Sequence, residues 1–336
     1  MASNPSTGAI VDSPVLTLEG NILWQFENLS AFGAQTLKLQ VAQGTISGEI
    51  ALDMSATPPK GPRVVRQEAG VPEIYVKLSH LELLWAFIYG WMVVYEESVQ
   101  KVQLDPAKVM DAETEKLIDR AHQLLAWSAS LREVYRPWPA DLPSPLHYAT
   151  PQEEWYGLKA NLVFQKAAAF LLSHERAHAA LGHLDVVESD RRPVLRLEME
   201  KEADTVAYDD LLGQSLDDCE KLADAWAVIS VMLSTLYLYR DPRMSLLPGG
   251  HPALHHRVAY MIGRLALSDL HYDYYFSFLC RLVLQAVFPE TLHPERKFDD
   301  WKDALTDALD RLDQVALAHG DRCSLALPLW SPDGPR

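Results

Sequence analysis

The sequence predicts an α+β protein that is mostly helical and has a small β-rich region near its amino terminus. Two patterns favour this fold class: apolar residues recur at helical spacing over long segments from His80 onward, and short alternating runs separated by Gly, Pro and Ser precede them. No internal repeat divides the chain. With 336 residues, of which 48% are hydrophobic, the chain is long enough to bury a substantial core.

The amino-terminal part is predicted to contain a tail and then strands. Residues 1–14 are small and polar and lack the basic and apolar regions of a signal peptide, so we expect a flexible tail. Residues 15–79 form the predicted β-rich region, in which residues 46–52 and 73–78 alternate loosely between apolar and polar side chains. We expect strands there.

Residues 80–320 are predicted to form the helical part, followed by an extended tail at residues 321–336. Asp105 followed by proline is typical of a helix start, and apolar residues then recur at helical spacing as far as Leu131. The next segment, residues 137–151, holds five prolines and is either a linker or a lid over a site. Six more helices are expected at residues 156–181, 193–212, 216–239, 252–266, 269–287 and 295–319.

The charge and the cysteines limit the partners and the compartment. The chain has 46 acidic and 30 basic residues and a formal net charge of −16, so its surface repels a phosphate backbone and nucleic acid is not expected as a partner. Cys219, Cys280 and Cys323 are odd in number and far apart, which favours neither disulfides nor a Cys-x-x-Cys metal site. We therefore expect a reducing, cytoplasmic location.

Two apolar stretches, residues 83–95 and 225–239, could be mistaken for membrane spans. As a helix, the longer stretch reaches only about 22 Å, which is less than the roughly 30 Å of the hydrocarbon layer. We expect both stretches to be buried core helices, and no membrane span.

The motif His174-Glu175-Arg176-Ala177-His178 is the strongest chemical signal. On a helix, His174 and His178 lie on one face and can bind the same Zn²⁺. Zinc lowers the pKa of bound water to about 7, and Glu175 can take its proton as general base and pass it to the leaving amine. The motif therefore predicts hydrolysis of a peptide bond in a protein or peptide substrate.

A catalytic zinc needs a third protein ligand and one open position. On the next helix, Glu200 and Asp204 are four residues apart, so one can bind the metal while the other orients a ligating histidine. A metzincin would supply a histidine after a glycine, but Leu181 stands at the glycine position and His183 comes one residue early. We expect His183, just past a helix end at Gly182, to be structural.

Three motifs together resemble the signatures of the gluzincin group, with a pattern similar to CAAX prenyl proteases, the heat-shock membrane protease and their soluble relatives. The motifs are His174-Glu175-x-x-His178, Glu200-x-x-Ala203-Asp204, and His251-Pro252 with Arg257 after it. The resemblance implies a zincin-like catalytic domain in which Glu200 is the third zinc ligand and Asp204 stands behind the ligands. It also implies that His251 reaches the active site and that Arg257 helps to fix the helices.

The residues themselves leave two of these roles open. His251 could donate a hydrogen bond to the oxyanion of the tetrahedral intermediate, or could simply precede a helix that starts near Pro252. Arg257 could pair with a buried acid such as Asp204 or Glu202, or could be exposed. His255 and His256 are expected at the surface.

A second resemblance concerns the segment Trp155-Tyr156-Gly157-Leu158-Lys159-Ala160-Asn161, which leads into the His-Glu-x-x-His helix. It is similar to the Lit-type phage-exclusion peptidases, which cleave a host translation factor. This resemblance implies that the substrate is one folded protein and that the activity is conditional; the sequence does not identify an activating partner.

The sequence thus predicts a soluble zinc endopeptidase. The alternative is a non-catalytic, zinc-containing binding or regulatory protein, whose closed site would need His183 or His251 as fourth ligand. The strand at residues 73–78 is either an ordinary sheet strand or the edge to which a substrate adds as an extra strand.

Overall fold

The computed structural model describes residues 8–66, 70–105, 110–189, 192–213, 217–248, 251–265, 270–292, 298 and 300–320. Twelve α-helices and one three-stranded sheet lie within these residues, which confirms the predicted, mostly helical α+β class. Of the predicted tails, residues 1–7 and 321–336 lie outside the described part. Within residues 8–14, Ile10 is buried and its N–H donates to the carbonyl oxygen of Met54 at 2.7 Å, whereas Val11 is exposed.

The first half of the predicted β-rich region is helical. A 3₁₀ turn leads into α1 (Glu19–Glu27), and α2 (Ala31–Ala42) follows. The expectation of strands was wrong here because Ile22 and Phe26 are four residues apart and bury one helical face. Ser30 caps α2 by accepting a hydrogen bond from the N–H of Gly33 at 2.7 Å.

The sheet contains β1 (Ile50–Asp53), β2 (Arg63–Val65) and β3 (Glu73–Lys77) in the order β1-β3-β2. β1 runs parallel to β3, and β2 runs antiparallel to it. Ile74 and Val76 of β3 alternate into the core. Of the two alternatives for β3, an ordinary sheet strand is therefore the one observed, because both of its edges are paired; β2 is the edge strand on that side.

Helix α3 (Leu78–Tyr95) follows β3 directly, is buried along its whole length, and continues through a π-helical turn at Glu96–Gln100 into α4 (Lys101–Leu104). The continuous helix Leu78–Leu104 is the one helix of the described residues that is long and apolar enough to cross a membrane. The expectation that every apolar segment is too short was therefore wrong. Its most apolar window, however, is 94% buried inside the protein. A buried core helix passes the same length test, so this is weak evidence for a span.

Helix α5 (Ala112–Ser130) begins later than predicted, with Asp111 as its cap: the carboxylate accepts from the N–H of Thr114 at 2.8 Å. Pro106 lies outside the described residues. Helix α6 (Pro151–Ala180) is 30 residues long, about 45 Å. Its start is fixed by the side chain of Thr150, which accepts a hydrogen bond from the third residue of the helix.

A short helix that the sequence did not predict, α7 (His183–Ser189), follows α6. The remaining helices lie within a few residues of their predicted bounds wherever they are described, and for α8 the bounds agree. They are α8 (Pro193–Leu212), α9 (Asp218–Ser234), α10 (Leu254–Arg264), α11 (Leu270–Val287) and α12 (Trp301–Gly320). Helix α6 is central, since it packs against α1, α3, α8 and α9 and touches β2. Cys219 is exposed, Cys280 is buried, and neither forms a disulfide; Cys323 lies outside the described residues.

The proline-rich loop between α5 and α6 packs against the amino-terminal half of α6. The indole of Trp138 contacts that of Trp85 edge-on at 5.5 Å between ring centroids, and the ring of Tyr148 lies against Gly157. His174 is 17 residues further along α6 than Gly157, which corresponds to about 26 Å. The loop is therefore a packed part of the core and not a lid over His174.

Candidate metal centre

Three side chains meet where the carboxyl-terminal part of α6 faces α8. The Nε2 atoms of His174 and His178 are 3.1 Å apart, and the carboxylate oxygens of Glu200 lie 3.3 Å from the first and 3.4 Å from the second. In a tetrahedral zinc site with bonds of about 2.0–2.1 Å, neighbouring ligand atoms lie about 3.3 Å apart. Two imidazoles and one carboxylate at these separations therefore fit a zinc ion.

Asp204 lies behind this group, one helical turn after Glu200 on α8. Its Oδ1 is 2.9 Å from Nδ1 of His174. Arg257 of α10 donates to both carboxylate oxygens, from Nε at 2.9 Å and from Nη2 at 2.7 Å. Arg257 is thus paired with Asp204 and not with Glu202, and the ion pair joins α10 to α8 directly behind His174.

The electrostatics of the group favour a cation. Burial by itself lowers the pKa of His174, but the carboxylates of Asp204 and Glu200 outweigh it and raise the pKa to about 10. Burial by itself raises the pKa of the carboxyl groups of Asp204 and Glu200. For Asp204, the charges of Arg257 and His174 outweigh burial and hold the pKa at about 2. For Glu200, hydrogen bonds from three histidines hold the pKa well below its usual range. Protons and metal ions therefore compete for the same imidazoles.

Glu175 is buried beside His174, and its position depends on the sheet. Its Oε2 accepts a hydrogen bond from the backbone N–H of Val64 in β2 at 2.8 Å. One such bond orients a carboxylate and leaves it further capacity as an acceptor. No local pattern in the sequence predicts this contact, because the two residues are 111 positions apart.

His251 lies at the same centre through Glu200. Its Nδ1 is 2.5 Å from Oε2 of Glu200, and 53% of its side chain is exposed. It precedes α10, which carries Arg257, so one segment contributes both residues. The structure thus brings together the seven residues singled out in the sequence: His174, Glu175, His178, Glu200, Asp204, His251 and Arg257.

His183 is buried next to His178 but does not face the three converging atoms. Its Nδ1 is 2.9 Å from Nδ1 of His178, and its Nε2 is 3.1 Å from Oε2 of Glu202. Gly182, at φ 71°, takes the left-handed conformation that ends α6 and turns the chain back. His183 thus lies outside the predicted ligand set, and its contact with His178 has no signal in the sequence.

A second group of potential ligands is formed by His255 and His256 of α10 and Asp313 of α12. Both Nε2 atoms lie 2.7 Å from the same oxygen of Asp313. These are hydrogen-bond lengths, shorter than the roughly 3.3 Å between ligands of a tetrahedral zinc. The group therefore ties α12 to α10. The expectation that these histidines lie at the surface was wrong for His255, which is fully buried.

The segment that leads into the His-Glu-x-x-His helix attaches α6 to α3. The hydroxyl of Tyr156 donates to Glu97 in the π-helical turn at 2.7 Å, and the indole N–H of Trp85 donates to the side-chain oxygen of Asn161 at 2.7 Å. These contacts are about 20 Å or more from the three converging atoms, as counted along α6. This segment therefore positions the helix rather than contacting a metal.

Comparison with known proteins gives one match. The family model described as Peptidase U49 matches residues 74–277, which is more than half of the chain. This range contains all seven residues with predicted roles at the centre, together with His183 and Glu202. No curated protein and no solved structure matches the chain significantly. The match agrees with the resemblance of the sequence to Lit-type peptidases. The chain belongs to the Peptidase U49 family.

Proposed function

We propose that this peptidase is a zinc-dependent endopeptidase of the gluzincin type, with His174, His178 and Glu200 as zinc ligands. The observation that carries the proposal is the convergence of their ligand atoms. The two Nε2 atoms are 3.1 Å apart, and Glu200 places Oε2 3.3 Å from the first and Oε1 3.4 Å from the second. Three protein ligands would leave the fourth position of a tetrahedral zinc for water. The pairing of both ring nitrogens of His183 with other residues also argues against a closed, purely structural site that uses His183 as fourth ligand.

Bound zinc would supply Lewis-acid chemistry, lowering the pKa of water to about 7 and polarising the scissile carbonyl. Glu175 acts as general base: its carboxylate takes a proton from the attacking water and then gives it to the leaving amine. The N–H of Val64 fixes the direction of that carboxylate from β2. The general base is thus positioned by the sheet, while the ligands are positioned by α6 and α8.

His251 is the residue we propose to stabilise the developing oxyanion. Its Nδ1 donates to the carboxylate of Glu200, and 53% of its side chain is exposed. The ring can therefore donate a second hydrogen bond, from Nε2, only as an imidazolium, and in that form it would meet the negative charge of the transition state. Asp204 and Arg257 act through His174. They hold its ring from behind and do not face the substrate.

The peptide substrate is expected to lie along β2 and not β3. The N–H of Val64 points away from β3 and towards Glu175, so the free edge of β2 faces the catalytic carboxylate. A peptide that lies along this edge would have its backbone beside Glu175, while the N–H of Val64 stays bonded to that carboxylate. By its resemblance to Lit-type enzymes, we propose that the substrate is one folded cytoplasmic protein and that cleavage is conditional.

The test measures metal content and cleavage in the same preparations. The chain is purified without added metal, and zinc is quantified in the native protein and in His178→Ala, Glu200→Ala and Glu175→Gln. We expect about one zinc per native chain, a sharp loss in the first two variants, and full retention in Glu175→Gln. Cleavage is read as new protein amino termini in a lysate of the expression host, identified by mass spectrometry; they should appear with the native chain and be absent with Glu175→Gln.

Different results would contradict different parts of the proposal. A native chain without zinc, or zinc unaffected by Glu200→Ala, would remove the ligand assignment. Undiminished cleavage by Glu175→Gln would remove the role of the general base. Zinc that binds stoichiometrically without any new amino termini, in the presence of lysate from several hosts, would favour the non-catalytic zinc protein instead.

A further inference from the structure

His178 has a partner on its outer side that none of the three sequence motifs contains. The imidazole of His183 lies 2.9 Å from it, Nδ1 to Nδ1, and Glu202 lies 3.1 Å from the far nitrogen of His183. His183 is buried, with 6% of its side chain exposed, whereas the side chain of Glu202 is 63% exposed. The three residues form a chain from the converging ligand atoms to the surface of α8.

The positions of the hydrogens between His178, His183 and Glu202 can be assigned by starting from the carboxylate of Glu202. A carboxylate only accepts hydrogen bonds, so Nε2 of His183 carries the hydrogen that faces Glu202. Nδ1 of a neutral His183 is then bare, and the single hydrogen between the two Nδ1 atoms belongs to His178. The Nε2 of His178 is left with its lone pair, and this is the atom that faces His174 and Glu200.

We propose that His183 is a positioning residue for the zinc site: it accepts the Nδ1–H of His178 and so fixes the tautomer and the ring orientation in which His178 binds metal. This inference rests on the proposed function. His183 lies against Nδ1 of His178 as Asp204 lies against Nδ1 of His174, so each ring has a partner on the side away from the proposed metal. The partner is an imidazole in the first case and a carboxylate in the second. The sharp turn at Gly182 supplies the geometry, since it brings residue 183 back onto the last turn of α6.

The test compares two replacements of His183. In His183→Asn the side-chain oxygen can take the place of Nδ1, because each atom is bonded to Cγ; His183→Leu has a similar volume but no acceptor. We expect the zinc dissociation constant, measured by competition with a chelator, to rise about 10- to 100-fold in His183→Leu and only a few-fold in His183→Asn. Glu198→Gln, an exposed change on the same helix outside this group, should bind zinc like the native chain.

Thermal unfolding of the metal-free proteins separates positioning from packing. If His183 only fills space, the Asn variant should be the less stable of the two and should lose at least as much zinc affinity as the Leu variant; that result would overturn the inference. An unchanged dissociation constant in His183→Leu would overturn it as well. Failure of the proposed function looks different, because the native chain would then bind no zinc, or would bind it independently of Glu200.

Discussion

The ion pair of Arg257 with Asp204 is buried directly behind His174. The side chain of Asp204 is 3% exposed and that of Arg257 13% exposed, so neither charge can be solvated by water if its partner is lost. Removing one partner of a buried pair typically costs 3–5 kcal/mol. We predict that Asp204→Asn lowers the free energy of unfolding of the metal-free protein by about 3 kcal/mol, measured by urea denaturation.

Asp209→Asn is the matched control for this prediction. Asp209 lies on the same helix, α8, and also pairs with an arginine of α10, Arg264, but its side chain is 61% exposed. An exposed pair contributes at most about 1 kcal/mol. An equal decrease in the free energy of unfolding of the two variants would contradict the prediction. It would mean that the buried pair of Arg257 and Asp204 contributes no more to stability than the exposed pair.

The residues of the centre differ in how far the sequence could predict them. Helical spacing alone places His174 with His178 and Glu200 with Asp204, because residues four apart share a face whatever the rest of the fold does. The contact between Glu175 and Val64 depends on how a three-stranded sheet docks on α6, and no local pattern encodes that. The contact of His183 with His178 depends on the positive φ of one glycine.

Helix α6 is attached to the core at its amino-terminal half and carries two of the proposed metal ligands, His174 and His178, towards its other end. Gly157 lies in the attached half, where an added Cβ would stand 2.0 Å from the ring of Tyr148. Alanine normally favours a helix over glycine by about 1 kcal/mol. Here the ring of Tyr148 would have to move, and overpacking costs about 1–3 kcal/mol. We predict that Gly157→Ala lowers the thermal unfolding temperature.

Gly263→Ala provides the comparison, since this glycine is in α10 and an added Cβ meets nothing within 4 Å. We expect this variant to unfold at a slightly higher temperature than the native chain. If Gly157→Ala were stabilising too, the proline-rich loop would be free to move away from α6, and its packing would not fix the helix.

The elements themselves were predictable where the signals are local. The start of α8 follows from Pro193, and its end is near Gly213. The helices α1 and α2 were missed because short punctuated runs also suit strands, and only packing decides between the two. The length of the apolar core helix was underestimated because Leu78–Leu104 includes the polar residues of the π-helical turn.

At the scale of the whole molecule, the buried helix α3 makes stability depend on pH. Glu82 on this helix is fully buried, and burial raises the pKa of its carboxyl from an ordinary 4.5 to about 7, with only partial compensation from the hydroxyl groups of Ser13 and Tyr135. A group whose pKa is higher in the folded state stabilises the protein most below its unfolded pKa. That contribution is present below about pH 4.5 and is lost as the pH rises through about 7.

We therefore predict that Glu82→Gln and the native chain are about equally stable at pH 5 and diverge as the pH rises. At pH 8 the variant should be more stable by on the order of 2 kcal/mol, because an amide has no proton to lose when it is buried. Urea denaturation at pH 5, 6.5 and 8 measures the difference, with the exposed Glu49→Gln as a control whose curve should run parallel to the native one. If the free energies of unfolding of Glu82→Gln and the native chain differed by the same amount at all three pH values, the prediction would be wrong. Glu82 would then not change its protonation on unfolding in this range, and other groups would cause any pH dependence of stability.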